Sequence, residues 1–509
     1  MNRTGSRLHL PLDPSAAPTA RTRGRLSAAL LLLLAGGCAV GPNYHRPLAA
    51  VPAAYKEAAG WKAATPNDAA TRGAWWEVFG DARLNDLESQ VAGSNPTLQA
   101  AESNYEAARE IARADRATFF PDLTADGAFT RAQAHAGAGA SAAIGNTYSA
   151  GLAGSWSPDF WGRVRRLTEA DVASAQASAA LLASSQLSLQ STLAQDYIAL
   201  RILDEKGRLL AAAVESYRRT LQIAQNKYHA GIVARSDVIS SETQLDSTRA
   251  QELDTGIQRA QLEHAIAVLV GKAPADFSLA TRPAAGLVAP AIPAQLPSDL
   301  LERRPDIAEA ERNTAAANAR VGVQTAAYFP NITLSGQGGF QGSTLSHLFS
   351  LPYRFWSLGA SASETLLDFG QRRAEVLEAT AAYDASVGSY RAAVLGAFQQ
   401  VEDNLAALRI LAQESEVQTS AVTEAAEASR IAENEYRAGT VDFTTVVTAQ
   451  EIELSNREAL LALQQNQLTS SAVLIEALGG GWAAADLPDR RQVMARRAPP
   501  APPAPPARP

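Results

Sequence analysis

The chain has 509 residues, a formal net charge of −7 at pH 7 and 6% aromatic residues. The sequence shows no basic stripe, so we expect no binding to nucleic acid. Its many Ala, Leu, Gln, Glu and Ser residues favour long helices that pack through heptad seams over a set of bulky globular cores.

Residues 1–37 have the pattern of a signal peptide. Three arginines, the last of them Arg25, precede an apolar run at residues 26–35. This run is too short to span a bilayer, which needs ~20 residues. Small residues then lead directly to Cys38, the one cysteine of the chain, so a disulfide within the chain is excluded. The pattern predicts a lipobox, in which Cys38 becomes the acylated first residue of the mature protein.

Two neighbouring residues bear on this lipid anchor. Ala35 stands where lipoboxes more often have Leu, so an ordinary signal peptide with an incidental cysteine is the alternative. Ala39, and not Asp, follows the cysteine, which resembles signals sorted to the outer membrane. Several acyl chains would anchor the protein stably. We expect no cofactor besides this covalent lipid.

The sequence contains an internal duplication. Residues 95–98 (Asn-Pro-Thr-Leu) return as residues 304–307 (Arg-Pro-Asp-Ile), and residues 119–124 return as residues 328–333, both at an offset of 209. Near the end of each half, Gly271 corresponds to Gly479. The predicted domains are the N-terminal segment 38–94, a first repeat 95–272, a linker 273–297, a second repeat 298–481 and a disordered tail 482–509.

Each repeat has the predicted order helix, two strands, two very long helices. In the second repeat, apolar residues recur every seven positions from Val447 to Ile475, which predicts a left-handed coiled coil. We place the long helices at about 163–230, 235–271, 370–437 and 442–479. The first of these would be ~100 Å long at 1.5 Å per residue, a length suited to crossing a compartment.

Four short segments alternate between apolar and small polar residues. We place these strands at about 122–132, 147–158, 330–341 and 354–367. In the third, Ile332, Leu334 and Phe340 share one face, and hydroxyl and amide side chains share the other. One apolar and one hydroxylic face are typical of a membrane β-barrel with lipid outside and water inside. A soluble sheet covered by helices is the alternative.

Four strands cannot close a barrel, and an open sheet edge in hydrocarbon leaves unpaired backbone groups. Several chains must therefore share one barrel. Two chains would give eight strands, whose interior fills with side chains, whereas three would give twelve and leave a lumen. We expect a homotrimer inserted in the outer membrane.

Several motifs resemble the outer-membrane factor family, the TolC-like channels, in its NodT-type lipoprotein branch. They are Gly41–Pro47, Trp75–Asp81, Leu300–Ile307, Ala326–Pro330 and Leu367–Gly370. The resemblance runs from Cys38 to about Gly481. It implies a trimeric twelve-stranded β-barrel continued by a periplasmic α-helical barrel. It also implies two partners, a periplasmic adaptor protein and a proton-driven inner-membrane pump of the resistance–nodulation–division class.

The turn between the last two long helices is the candidate gate of such a channel. Many relatives place an Asp before an Ala-Gln pair after this turn, forming a three-fold acidic ring, whereas this chain has Thr448 there. The nearest acids are Asp442 and, at the first-repeat turn, Asp237. Either could line the constriction or be an ordinary charge at a helix start. The other candidates are Thr445, Tyr436 and Arg437, and the turn glycines Gly231 and Gly439.

If an acidic ring is present, its like charges repel, and we expect hydrogen bonds from Arg437 or Tyr436 to hold it closed. Catalysis is disfavoured, because the six histidines are scattered and no metal-ligand spacing, phosphate loop or nucleophile motif is present in the sequence. A passive coiled-coil scaffold would leave the alternating strands unexplained. The function predicted is passive export of drugs, toxic compounds or metabolites, and a duct for ATP-driven protein secretion is the alternative.

Overall fold

The computed structural model describes residues 39–57, 73–133, 144–282, 284, 287, 290 and 300–495. Cys38 and the signal peptide lie outside the described residues. A short 3-10 turn, Trp75–Phe79, precedes the first described helix.

Each repeat contains one medium helix, two strands and two long helices. In chain order the elements are α1 (Ala82–Ser94), α2 (Pro96–Ala117), β1 (Asp122–Gln133), β2 (Ile144–Trp156), α3 (Arg163–His229), α4 (Arg235–Leu269), α5 (Leu300–Arg303), α6 (Pro305–Ala326), β3 (Asn331–Gly342), β4 (Arg354–Ser363), α7 (Gln371–Ala438), α8 (Phe443–Ala477) and α9 (Arg490–Met494). The fourth strand ends at Ser363, before the predicted boundary. Among the described helices, none is both long and apolar enough to cross a membrane.

The four long helices end in the same way. At the end of α3, Ile232 N donates to Lys227 O and Gly231 N donates to Tyr228 O, which is the Schellman hydrogen-bond pair. The residue in the left-handed conformation is a glycine each time: Gly231, Gly271, Gly439 and Gly479. Glycine fits because it has no Cβ to clash at positive φ.

The duplication extends to individual contacts. The Asn95 side chain donates to Leu269 O at 2.8 Å, and the Arg304 side chain donates to Ala477 O at 3.0 Å. Both residues precede a repeat's medium helix, and both bind the last carbonyl of that repeat's final long helix. The two repeats therefore share contacts as well as element order.

The strands form one antiparallel sheet in the order β1-β2-β3-β4. The register pairs Phe129 with Tyr148, and the ring centroids of these two residues lie 4.8 Å apart. Successive side chains of a strand point to opposite faces, so this register assigns every strand residue to a face. We call the face that contains Phe129 the apolar face. Its large apolar members are Leu123, Phe129, Ile144, Tyr148, Leu152, Trp156, Ile332, Leu334, Phe340, Trp356 and Leu358.

The opposite face, here the polar face, contains hydroxyl, amide and small side chains, such as Thr124, Ser335 and Gln337. Within the described strands its charged residues are Asp122 and Asp126. On the apolar face, Leu123 is 70% and Leu358 80% exposed in the single chain. Such exposure of large apolar side chains marks a surface that water does not cover.

The chain divides into two compact units, each described here by itself. The first comprises residues 1–44, 114–170 and 318–381 and contains the sheet. The second comprises residues 45–113, 171–317 and 382–509. A main core of the second unit packs Trp75 and Phe79 against Leu84 of α1 and Tyr197 of α3.

A buried ion cluster fixes the start of the predicted linker on the long helices of the first repeat. Asp204, whose side chain is 0% exposed, accepts from Arg201 at 2.9 Å and from Arg259 at 2.8 Å. The same carboxylate accepts from Arg282 N, and Glu263 accepts from Leu279 N. Burial of these charges is tolerated because each has a partner.

The prediction that residues 482–509 are disordered is wrong for residues 482–495. Helix α9 begins with a capping box between Asp489 and Gln492, and Val493 is fully buried. Val493 packs against Ala112, Val172 and Ala175, with Arg109 donating to its carbonyl oxygen. The Pro/Ala composition concealed this single apolar anchor. Residues 496–509 lie outside the described residues.

Candidate functional site

The turns that end α3 and α7 come together within the second unit. The Lys227 ammonium lies 3.9 Å from the centroid of the Tyr436 ring and also donates to Tyr436 O. The Tyr436 ring in turn makes an edge contact with Phe443, with centroids 5.5 Å apart. Val446 and Ala432 complete this buried cluster. The first residues of α8 are thus tied, through Tyr436, to the end of α3.

Tyr436 is a packing residue of this cluster. Its side chain is 2% exposed, and its hydroxyl has no hydrogen-bond partner among the described residues. Burial, and secondarily the nearby Asp237 carboxylate, raise the pKa of the phenol, so it stays neutral. A side chain buried within its own chain cannot line a lumen, so any role of Tyr436 at a gate is through the packing of this turn.

Arg437 makes its ion pair within α7. Its guanidinium pairs with Glu433 one helical turn earlier. Among the described residues, neither Arg437 nor Tyr436 donates a hydrogen bond to Asp237 or Asp442. A three-fold ring forms between copies, so the expectation that these side chains hold such a ring closed stays a prediction. The local i,i+4 pairing is available whenever the helix forms, and it occupies Arg437 first.

Asp442 is the N-cap of α8. Its carboxylate accepts from Thr445 N at 3.0 Å and from Thr445 Oγ1 at 2.8 Å. These two hydrogen bonds lower the pKa of Asp442, so the carboxylate is charged. The capping interpretation of Asp442 is thus what the structure shows. Capping leaves the carboxylate exposed, and Thr445 and Thr448 follow at helical spacing on an exposed stripe.

Asp237 lies in the first turn of α4 and is half-buried. Ser236 Oγ is 3.3 Å from Asp237 Oδ1. The α4 N-cap is Ala234, which has no side-chain acceptor, so Asp237 is the acidic group nearest that helix start. Gly231 and Gly439 end the preceding helices at φ +73° and +81°. A Cβ at either glycine would meet no atom within 4 Å, so only the backbone conformation requires glycine there.

Two further contacts join α3 to α8 above the turns. Tyr217 OH donates to Gln450 O at 3.3 Å, and Gln450 Nε2 lies 3.4 Å from Thr220 Oγ1. Further from the turns along the same two helices, Lys206 and Glu458 form an ion pair at 3.4 Å. Together with the Lys227 contact, these form a ladder of polar contacts between the two repeats. Sequence reasoning did not identify Lys227 as a candidate site residue.

The site has the character of a joint between helices and not of a reaction centre. In the described part of the chain, no three His, Cys, Asp or Glu side chains lie close enough together to hold a metal ion. The exposed polar groups at the start of α8 include the hydroxyls of Thr445 and Thr448 and the capped, charged carboxylate of Asp442.

A profile of the outer membrane efflux protein family matches residues 87–272 and again residues 296–480. The chain belongs to this family. The two matches coincide with the two repeats. It is thus a TolC-like outer-membrane factor and not an enzyme, and its trimeric β-barrel is continued by a helical barrel in the periplasm.

Named relatives cover nearly the whole chain. It is 31% identical to the toluene efflux pump outer membrane protein TtgC of Pseudomonas putida over 466 residues, 91% of this chain and 96% of that protein. It is also 31% identical to nodulation protein T of Rhizobium leguminosarum bv. trifolii, covering 90% of this chain and 97% of that one. The solved structure of the outer-membrane channel OprN superposes with a TM-score of 0.82 at 29% identity, covering 87% of this chain and all of that chain.

Proposed function

We propose that this channel is the passive outer duct of a three-component efflux system for small organic molecules. A periplasmic adaptor and a proton-driven inner-membrane pump of the resistance–nodulation–division class would be its partners. The main support is the similarity over 91% of the chain to a relative named as a toluene efflux pump component. NodT-like similarity of comparable extent adds to it.

The polar face of the sheet supports a passive role. Hydroxyls, amides and glycines form most of it, and bulky aromatic side chains are concentrated on the apolar face. Such a surface wets the lumen without offering an apolar pocket to retain a substrate. Substrate choice would then belong to the pump, and the duct would transmit what the pump delivers.

The first described residues support a lipid anchor at Cys38. Val40 N donates to Trp161 O at 3.1 Å, and Arg166 donates to Asn43 Oδ1 at 2.8 Å. Ala39 lies so close to Gly162 that a Cβ on that glycine would overlap it. The segment that follows Cys38 is therefore held where β2 continues into α3. A lipid attached there would enter the membrane beside the barrel.

We further propose that the stripe of Asp442, Thr445 and Thr448 faces the channel axis at its periplasmic end. Trimer symmetry would place three copies of each side chain around the axis. The exposed, charged state of Asp442 supports this arrangement. Asp237 is half-buried, and its charge acts on the nearby Tyr436. It would add a further negative charge near the stripe without itself facing the axis.

Complementation tests the proposed function. A Gram-negative strain that lacks its own outer-membrane efflux channel is given this chain together with a periplasmic adaptor and a proton-driven pump of the resistance–nodulation–division class. We expect restored tolerance to toluene, and no restoration when the adaptor gene is omitted. Secretion of a protein substrate by an ATP-driven exporter, without change in toluene tolerance, would favour the alternative function and contradict the proposal.

A further inference from the structure

Within the described strands, the apolar face has two charged side chains, and both are arginines. Arg131 lies near the end of β1, and Arg354 is the first residue of β4. The register assigns both to the apolar face, because Arg131 alternates in step with Phe129 and Arg354 pairs with Phe340. Both lie at the end of the sheet where the hairpin loops are, opposite the end that continues into the helices.

Neither guanidinium is neutralised by a residue that the structure describes. Both side chains are exposed, and no ion pair joins either one to a described residue. The acids of the sheet, Asp122 and Asp126, are on the polar face, which points away from them. The sheet thus separates its charges, with acids towards the lumen and bases towards the lipid.

Each arginine is two residues from an aromatic residue on the same face, on the side nearer the hairpin loops. Phe129 and Tyr148 are in contact on the apolar face, and Trp356 is two residues from Arg354. Aromatic side chains of membrane barrels gather at the boundary between hydrocarbon and headgroups. Two further residues along a strand advance about 7 Å, which brings the guanidinium groups to headgroup depth. At that depth an arginine binds phosphate with two parallel hydrogen bonds.

The two arginines belong to the two edge strands, β1 and β4. In the trimer, β4 of one copy pairs with β1 of the next to close the barrel. Because Arg131 and Arg354 share a face and an end of the sheet, closure places Arg131 of one copy and Arg354 of its neighbour on adjacent strands, on the apolar face and at the same end of the barrel. The site is incomplete in a single chain and is formed three times in the trimer.

We propose that Arg131 and Arg354 of adjacent copies bind the phosphate groups of an anionic glycolipid in the outer leaflet. The inference rests on the outer-membrane trimer but not on the exported substrate or the pump. The opposite end of the apolar face, with Leu123, Trp156 and Ile332, has no charged side chain in the described strands. This asymmetry fits an outer leaflet whose glycolipid carries exposed anionic phosphate groups.

Native mass spectrometry of the detergent-purified trimer, mixed with bis-phosphorylated lipid A, tests the site. We expect up to three tightly held lipids per wild-type trimer. The Arg131→Gln/Arg354→Gln double variant should retain at least tenfold less, and the Arg131→Lys/Arg354→Lys variant should keep most of the binding. The matched control is Arg249→Gln, at an exposed arginine of α4, which should leave retention unchanged.

Two further measurements separate the possible ligands. Dephosphorylated lipid A should bind much more weakly, and millimolar inorganic phosphate should not displace the intact lipid. Equal retention by the wild-type and double Gln trimers would overturn the proposal, and so would equal binding of the dephosphorylated lipid. Displacement by inorganic phosphate would overturn the lipid as ligand. The trimer mass in the same spectra reports assembly, so a failure of trimerisation is recognised separately.

Discussion

The ammonium of Lys227 lies 3.9 Å from the centroid of the Tyr436 ring, and this contact joins the turn of one repeat to the turn of the other. Its hydrogen bond to Tyr436 O reaches the carbonyl that also accepts from Gly439 N. One side chain thus supports the ring, the helix end and the turn. The second turn can move away from α3 only if this contact breaks.

Replacing Lys227 should therefore loosen the periplasmic end. In Lys227→Met the cation–π contact, worth about 1 kcal/mol, and the hydrogen bond are lost. We expect a higher single-channel conductance in planar bilayers, restored towards wild type in Lys227→Arg. The control is Arg218→Met, which removes a largely exposed cation of the same helix. Wild-type conductance in Lys227→Met would show that the contact does not restrain the turn.

Asp442 allows charge and capping to be tested apart. Asn caps a helix about as well as Asp, so Asp442→Asn removes the charge and keeps the cap. If three carboxylates face the axis, this variant should lower cation preference, measured as the reversal potential in a salt gradient. Asp442→Ala should in addition destabilise the start of α8 by about 1 kcal/mol. An unchanged reversal potential in both variants would mean that the carboxylate lies away from the ion path.

Two glycines at equivalent helix ends should respond differently to the same substitution. Gly439 and Gly479 both have positive φ, so alanine costs each about 1–2 kcal/mol in backbone strain. At Gly479 a Cβ would also overlap Arg303 O, whereas at Gly439 the space is open. The midpoint of thermal unfolding should fall further for Gly479→Ala than for Gly439→Ala. Equal unfolding midpoints for the two variants would indicate that the backbone at Arg303 shifts to accommodate the added Cβ at little cost.

Glu88 of α1 should give the protein a dependence on pH. Its carboxyl is fully buried with no hydrogen-bond partner among the described residues, and burial raises its pKa to about 9. The folded state therefore holds a proton that the unfolded state, with its ordinary pKa of 4.5, releases. The free energy of unfolding should fall as pH rises from about 4.5 to about 9, by up to roughly 1.4 kcal/mol per unit.

The Glu88→Gln variant removes this titration and should be more stable than wild type at pH 8, with the difference vanishing near pH 4.5. Denaturant unfolding of the solubilised protein at several pH values measures it. Glu102→Gln, at an exposed position of α2, is the matched control and should follow wild type. Parallel curves for wild type and Glu88→Gln would show that the carboxyl finds a partner in the folded protein.

The lipid anchor is tested at Cys38. Mass spectrometry of the mature N-terminus should show an acylated cysteine at this position, and Cys38→Ala should abolish the modification. The trimer should still form, because the strand pairings of the sheet lie between residues 122 and 363. An unmodified N-terminus beginning at Met1 in the wild-type protein would contradict the lipoprotein assignment.

The repeat offset and the heptads predicted the long helices closely. An apolar period sustained over tens of residues indicates a helix with one packed and one exposed surface. The alternation of Ile332, Leu334 and Phe340 likewise predicted the face that the register gives to β3. The turn glycines could be predicted for a different reason, which is that glycine tolerates the positive φ that a helix end requires.

The roles of Lys227 and Tyr436 could not be predicted in this way. Their contact joins residues 209 positions apart, and nothing in either turn alone identifies the partner. The order of α9 was missed for a related reason, because Val493 becomes an anchor only where Ala112 and Val172 expose a small apolar surface. Composition averages over a segment and does not register one buried side chain.

Fusing the two repeats into one gene has a consequence for how the ring can evolve. In a ring of six identical half-chains, every substitution would appear six times, and neighbouring positions could never differ. Here a substitution appears three times, so Asn95 and Arg304 can serve equivalent carbonyls with different charges. Lys227 can likewise contact Tyr436, while Glu435, which precedes Gly439 by four residues as Lys227 precedes Gly231, carries the opposite charge. Each chain therefore contributes two repeats that are similar but not identical. Around the trimer the two kinds of repeat alternate, and each can acquire its own contacts.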